Sequence, residues 1–415
     1  MSIYSELQKR EAQGRCINVG VIGAGQMGKG MIAQISTIPG MVVGGISDLN
    51  IEQANAARDA YCSSTKEKNE ILTSTDFRDV IRQEEIDVVV EATGITEVGA
   101  KVAMECLLAK KHLVLLNVEI DITIGPIMHK LFRSAGLVYT GSAGDEPAAT
   151  VELYEFAKSM GMKVLVAGKG KNNKLKEHAT PDSVKEEANS KDMNPHMLCS
   201  FQDGTKTMAE MNLLSNAIGF KPDITGMHGI SGDLEETVRR LRLKEEGGVL
   251  NAYNAVEYVD GIAPGVFVIV KGQNDNVVHE MNYLMKKGDQ DRHILYRPFH
   301  LASLETPITI AKAVIQGDYS IVPRGVPVSD TSAFTKKEIK RGERIDGIGG
   351  FCVRGVLETH ESCVENRHIP IGLITGNAIA KRDIPMDTFL TSDDIQLDEM
   401  TTVYKLRKLQ DEFIG

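Results

Sequence analysis

The stretch INVGVIGAGQMGKGMIAQI, residues 17–35, decides the fold. A short apolar run leads into three glycines in G-x-G-x-x-G spacing, Gly23, Gly25 and Gly28. Met27, Met31, Ile32 and Ile35 follow at helical spacing. MVVGGISD, residues 41–48, supplies a second strand, and Asp48 at its end lies 20 residues past Gly28 (48 − 28). A glycine pattern alone is weak; between a strand and a helix, with an acid at that distance, it is specific for a dinucleotide site. Gly23 permits the tight turn, Gly25 lets backbone approach a pyrophosphate, and Gly28 lets helix and strand pack closely. The first helical turn, with Gln26 and Met27, offers amides and the positive dipole end to phosphates. Asp48 favours a free ribose 2′-hydroxyl, hence NAD over NADP, because a carboxylate repels a 2′-phosphate.

The pattern continues outward. IDVVVEATG (86–94), KHLVLLNVE (111–119) and GLVYTGSAGDEP (136–147) are further short apolar strands alternating with helical segments. That texture predicts an α/β class with a doubly wound parallel sheet. Ligands in such sheets lie outside the carboxyl ends of the strands, so Thr93, Gly94 and Asn117 are expected to line the nicotinamide side. Residues 1–150 form the expected dinucleotide-binding domain. Residues 151–304 read as an α+β substrate, catalytic and oligomerisation domain, with an amphipathic helix TKTMAEMNLLSNAIGF (205–220) and a charged helix DLEETVRRLRLKEEGG (233–248). The Pro-started helix 305–318 is expected to pack back on the first domain. Residues 321–415, rich in Gly, Pro and Val, read as a small, mostly β module.

Composition narrows the function. The 415 residues are 42% hydrophobic and 25% charged, ordinary for a globular protein. A net charge of −10 gives no global field for nucleic acid or acidic membranes, and no apolar run approaches the ~20 residues of a membrane span. The six cysteines form no C-x-x-C pair and read as reduced thiols, so a cytoplasmic protein is expected, with a homodimer as the default assembly. The histidines make no H-x-H or H-E-x-x-H spacing.

Three segments carry candidate chemistry. In GSAGDEP, Asp145 and Glu146 could hold a divalent metal such as Mg or Mn, or complement the dipole of the helix that follows. In AGKGKNNKLKEHATPD (167–182), Lys169, Lys171, Asn172 and Asn173 could clamp an anion, whereas composition alone makes the stretch a solvated loop. In FQDGTKTMAEMN, Asp203, Lys206 and Glu210 sit at i, i+3 and i, i+4 spacing on one helical face, as proton-transfer groups or as a surface ion-pair ladder.

The order of these segments resembles the homoserine dehydrogenase superfamily, with GDEP, GKGKNN, DGTK and ETPITIA in the places of its substrate loops, catalytic helix and returning helix. AIAKRDIPMDTFLTSDDI (378–395) resembles an SAF module. A body of the first kind with such a tail is the arrangement of 1-deoxy-D-xylulose 5-phosphate reductoisomerase-like proteins. The resemblance implies an NAD(P)-dependent oxidoreductase or oxidoisomerase acting on a small anionic sugar phosphate or sugar acid. It puts Lys169, Lys171, Asn172 and Asn173 on the substrate loop, and Asp203 and Lys206 on the catalytic helix. It returns Arg297, Glu305 and Pro307 to the nicotinamide. Two other activities stay open: an NAD-linked oxidoisomerase or dehydrogenase of a branched, apionate-type sugar acid, and a sensing protein that binds dinucleotide or sugar acid without chemistry.

Overall fold

The computed structural model describes residues 2–65, 70–191, 193–285 and 288–414. The chain divides into two compact units, one of residues 1–148, 301–322 and 406–414, the other of residues 149–300 and 323–405.

The first unit is built on six parallel strands: β1 (Ile17–Ile22), β2 (Met41–Ser47), β3 (Leu72–Ser74), β4 (Val88–Glu91), β5 (His112–Leu115) and β6 (Tyr139–Gly141). Their order is β3-β2-β1-β4-β5-β6. The order reverses between β1 and β4, which opens a crevice at the carboxyl ends of those two strands. Val19, Val21, Val88 and Val90 are fully buried, as strands covered on both faces require. The helix Gln26–Ile35 turns Met31, Ile32 and Ile35 into this core, and Ile310 and Ala311 join the same cluster.

Helix Ala302–Ala311 begins three residues before the predicted start, so Pro307 lies inside it rather than in its first turn, and a wider turn, Lys312–Gln316, extends it. The long helix Val118–Ser134 contains Pro126, which has no N–H to give. Beside it, the Ile127 N–H donates to Gln410 Oε1 (3.2 Å), and Arg407 Nη1 donates to the Thr123 carbonyl (3.3 Å). Two side chains from the end of the chain thus satisfy backbone groups next to the proline.

The second unit centres on a mixed sheet of β7 (Lys163–Lys171), β8 (Lys221–Pro222), β9 (Ile230–Ser231), β10 (Ala255–Asp260), β11 (Val266–Lys271), β12 (Gly288–Asp289) and β13 (Arg292–Arg297). β7 lies in the middle, parallel to β10 and antiparallel to β11. Residues 323–405 add an antiparallel pair, β14 (Ser329–Thr335) with β16 (Val353–Thr359). They also add a small sheet of β15 (Arg344–Ile345), β17 (Ala378–Ala380) and β18 (Ile395–Gln396).

Between these layers runs the helix Thr205–Ile218. It touches β7 and β10 on one side and β14 and β16 on the other. All its residues except Lys206 are buried. The sequence predicts an amphipathic helix with a charged, solvated face. Both layers bury it instead: Glu210 of the charged face meets Lys169 of β7, while Asn212, Ser215 and Asn216 meet Ser329 and Thr331 of β14 through hydrogen bonds of 2.7–3.3 Å.

Candidate active site

The glycine turn is shaped by close backbone approach. Gly23 has φ +99°, and a Cβ there would stand 2.8 Å from the carbonyl of Ala92. A Cβ on Gly28 would lie 2.0 Å from the Gly23 oxygen, so no other residue fits. Gly25 differs: it caps the helix N-terminus, and the space its Cβ would take is open. Open space against first-turn amides is the cradle a pyrophosphate needs. Gln26 and Met27 are exposed at its rim.

Asp48 ties the cradle together. Its Oδ2 accepts from Ala24 N–H and its Oδ1 from Asn50 N–H, both at 2.8 Å. Each oxygen keeps a lone pair for a ribose hydroxyl. The residues present therefore fit an adenine dinucleotide.

At the end of β4 the picture differs from the expectation. Gly94 is exposed with φ +68°. Thr93 is half-buried and donates through N–H and hydroxyl to Glu91. Asn117 is only 1% exposed; its Oδ1 caps helix Val118–Ser134 through Ile120 N–H, and its Nδ2 donates to the Ile95 carbonyl (3.4 Å). Glu91, which the sequence reading passed over inside EATG, is fully buried there, and burial pushes its carboxyl up to about 7.

Helix Ala302–Ala311 braces the segment after β6. Ser142 Oγ meets Thr306 Oγ1 at 2.8 Å, and Ala143 N–H donates to Thr309 Oγ1 at 2.8 Å. Glu305 accepts from Leu301 N–H in its own first turn, and Pro307 is buried. Pro307 is a packing residue without polar reach. Asp145 is half-buried and Glu146, 6% exposed, is the first residue of helix Glu146–Ser159.

The lysine stretch is not a loop up to Lys171 but the end of the central strand β7. Residues two apart on a strand share a face. Lys169 and Lys171 thus share one, and both contact the helix Thr205–Ile218 or the residues leading into it. The alternating glycines are dictated by crowding: a Cβ on Gly170 would lie 2.5 Å from Ala263 N, and one on Gly168 1.9 Å from the Glu257 oxygen. Lys169 is 5% exposed and ion-paired with Glu210. Lys171, 6% exposed, donates to the Phe201 carbonyl (3.0 Å) and to Thr207 Oγ1 (3.5 Å). Burial, and next the charge of Lys169, pull its ammonium down to about 8. Asn172 is exposed and Asn173 half-buried just beyond.

Asp203 and Lys206 do not share a helix. Asp203 caps the C-terminus of helix Pro195–Gln202, and Gly204 (φ +92°) intervenes before the next helix begins. The Asp203 carboxylate is fully buried, accepting from Lys336 Nζ (3.0 Å) and Thr205 N–H (2.9 Å). Lys206 is half-buried. Arg297 pairs with Glu152 (3.2 Å) and lies over Phe299.

These features agree with matches to known proteins. Residues 17–115 match the GFO/IDH/MocA model described as an oxidoreductase family with an NAD-binding Rossmann fold. Residues 144–306 match the catalytic domain of oxidoreductase DRL, and residues 330–396 match the SAF domain. Along the chain the matched domains follow in the order Rossmann, DRL catalytic, SAF. The uncharacterized oxidoreductase YrbE of Bacillus subtilis (strain 168) is 34% identical over 97 residues, 23% of this chain; the chain spans about a quarter, 26%, of that relative's length. Among solved structures, a probable dehydrogenase from Thermotoga maritima is 15% identical, with 74% of this chain and 91% of that chain covered and a TM-score of 0.45. A myo-inositol dehydrogenase from Corynebacterium glutamicum ATCC 13032 is 12% identical, with 73% and 89% covered and a TM-score of 0.43.

Proposed function

We propose that the protein interconverts an alcohol and a ketone on a small anionic sugar derivative, with NAD as hydride carrier and Lys171 as the proton-transfer group. The observation that carries this reading is the division of labour between two buried lysines on β7. Lys169 has a carboxylate partner, so it stays an ammonium. Lys171 is held by a carbonyl and a hydroxyl, and burial first of all brings its ammonium down to about 8.

NAD held by the Gly23–Gly28 turn and Asp48 supplies the hydride acceptor. The rest falls to side chains. In the oxidising direction neutral Lys171 takes the hydroxyl proton; in the reducing direction its ammonium returns one to the forming alkoxide. Lys169, kept charged by Glu210, attracts a carboxylate or phosphate and stabilises developing negative charge on oxygen. Asn172 and Asn173 add hydrogen-bonding groups where β7 ends. Asp145 and Glu146 would hold Mg2+ or Mn2+ if the substrate is a hydroxy-ketone that must be chelated.

The finer reading is rearrangement of 1-deoxy-D-xylulose 5-phosphate with NADPH, supported by the order of segments and the SAF tail. Asp48 weighs against it through the 2′-phosphate, and so favours the NAD-linked branched sugar acid. Thermal shift with NAD and NADP, each crossed with aldonates and sugar phosphates, tests the choice, since binding raises apparent stability by mass action. Stabilisation by NAD with an aldonate supports the reading. Stabilisation by NADP and the sugar phosphate alone replaces it with the reductoisomerase.

A further inference from the structure

We infer that Lys336, in the SAF domain, is a positioning residue for the acid–base lysine: it neutralises Asp203, which would otherwise hold the Lys171 ammonium charged. This rests on the reading of Lys171 given above.

Among the described residues of this unit, the charged groups that act most strongly on Lys171 come from four places. Lys169 is on its own strand. Asp260 is its register partner on β10 and is exposed, where water screens it. Glu210 on the helix Thr205–Ile218 is paired with Lys169. Asp203, at the junction before that helix, is fully buried and paired with Lys336. Asp203 is therefore a nearby buried charge whose effect on Lys171 depends on a residue from another domain.

Lys336 is built for that task. It is 4% exposed, and besides Asp203 Oδ2 it donates to the carbonyls of Ala179 (2.7 Å) and Gly350. Ala179 lies in the segment that follows β7, and Gly350 in the SAF domain itself. Cys199 Sγ, 3.5 Å away, adds no charge, because burial first of all pushes its thiol up to about 11. The other Asp203 oxygen holds Thr205 N–H, the first residue of the helix that carries Thr207 and Glu210. One ammonium thus fixes both the charge of Asp203 and the start of the helix that positions Lys171. This gives the SAF domain a part in catalysis without touching substrate.

The test reads the Lys171 pKa directly, without substrate, by 13C NMR of [13Cε]lysine-labelled full-length protein, with Lys171→Arg assigning the signal. The parent should titrate near 8. Lys336→Met should move it alkaline by at least one unit, since unpaired Asp203 now favours the ammonium. Asp203→Asn should move it acid, because Lys336 is left uncompensated. The double variant should return it to the parental position. A merely structural role loosens the site and moves both single variants the same way; that result, or no movement in either, overturns the proposal. Should Lys336→Met not fold, Asp203→Asn alone decides by its sign. A parent whose Lys171 does not titrate near 8 defeats the acid–base reading itself.

Discussion

Lys169 and Lys171 stand two residues apart on β7, yet Lys169 is ion-paired with Glu210 while Lys171 donates to a backbone carbonyl and a threonine hydroxyl. Two like charges so close in a buried site are sustained only if they differ in charge state for part of the pH range. That difference organises the expectations below.

Removing the carboxylate should erase the difference. Glu210→Gln removes a buried counter-charge from Lys169, a loss of about 3–5 kcal/mol for a buried pair. The variant should unfold at lower temperature, and substrate affinity should fall along with turnover. Calorimetry and initial rates read both. An unchanged melting temperature would mean that Glu210 is not a structural counter-ion.

The glycine turn separates packing from ligand space. Gly28→Ala drives a methyl into the Gly23 carbonyl and should destabilise the first unit as well as abolish dinucleotide binding. Gly25→Ala has room within the protein, so it should keep the parental melting temperature and weaken NAD at least tenfold by intrinsic fluorescence titration or calorimetry. Equal NAD affinity in Gly25→Ala would place the pyrophosphate elsewhere.

Cofactor choice follows Asp48. Asp48→Ala removes the repulsion of a 2′-phosphate and the two backbone bonds to Ala24 and Asn50. NAD should weaken, and the preference for NAD over NADP should shrink. A preference that survives the substitution would show that another residue reads the ribose.

Stability should fall as pH rises from about 4 to 7. Burial lifts Asp121, in helix Val118–Ser134, from an ordinary 3.8 to about 7. A carboxyl raised in the folded state contributes stability that is full below its unfolded pKa and is lost as pH climbs through the folded one. At about 1.4 kcal/mol per unit, the span amounts to a few kcal/mol between pH 4 and 7. Denaturant melts at pH 5 and pH 8 should show the loss in the parent and a smaller one in Asp121→Asn.

Much of the first unit was legible because its signals are local. Gly23, Gly25, Gly28 and Asp48 lie within 26 residues (positions 23–48), and each glycine's role follows from one close contact or one open space. Local reasoning failed where a distant segment intervened. The helix Thr205–Ile218 reads as amphipathic, but β14 and β16, more than a hundred residues later, cover its polar face. Asp203 reads as a helix-face acid, whereas its partner Lys336 lies 133 residues away. The period-two alternation in AGKGK was visible, but lysines on a buried strand face break the usual hydrophobic signal, so the segment read as a loop.

The central claim, that Lys171 moves the proton, is tested most directly by the pH dependence of kcat/KM for NAD-linked turnover of the sugar acid identified by thermal shift. The parent should show a limb near pH 8. Lys171→Met should lose about 10²–10⁴-fold in kcat together with that limb, the range a general acid–base group supplies, while its NAD affinity stays parental. A Lys171→Met enzyme that keeps the limb and more than a tenth of the parental kcat would contradict the account.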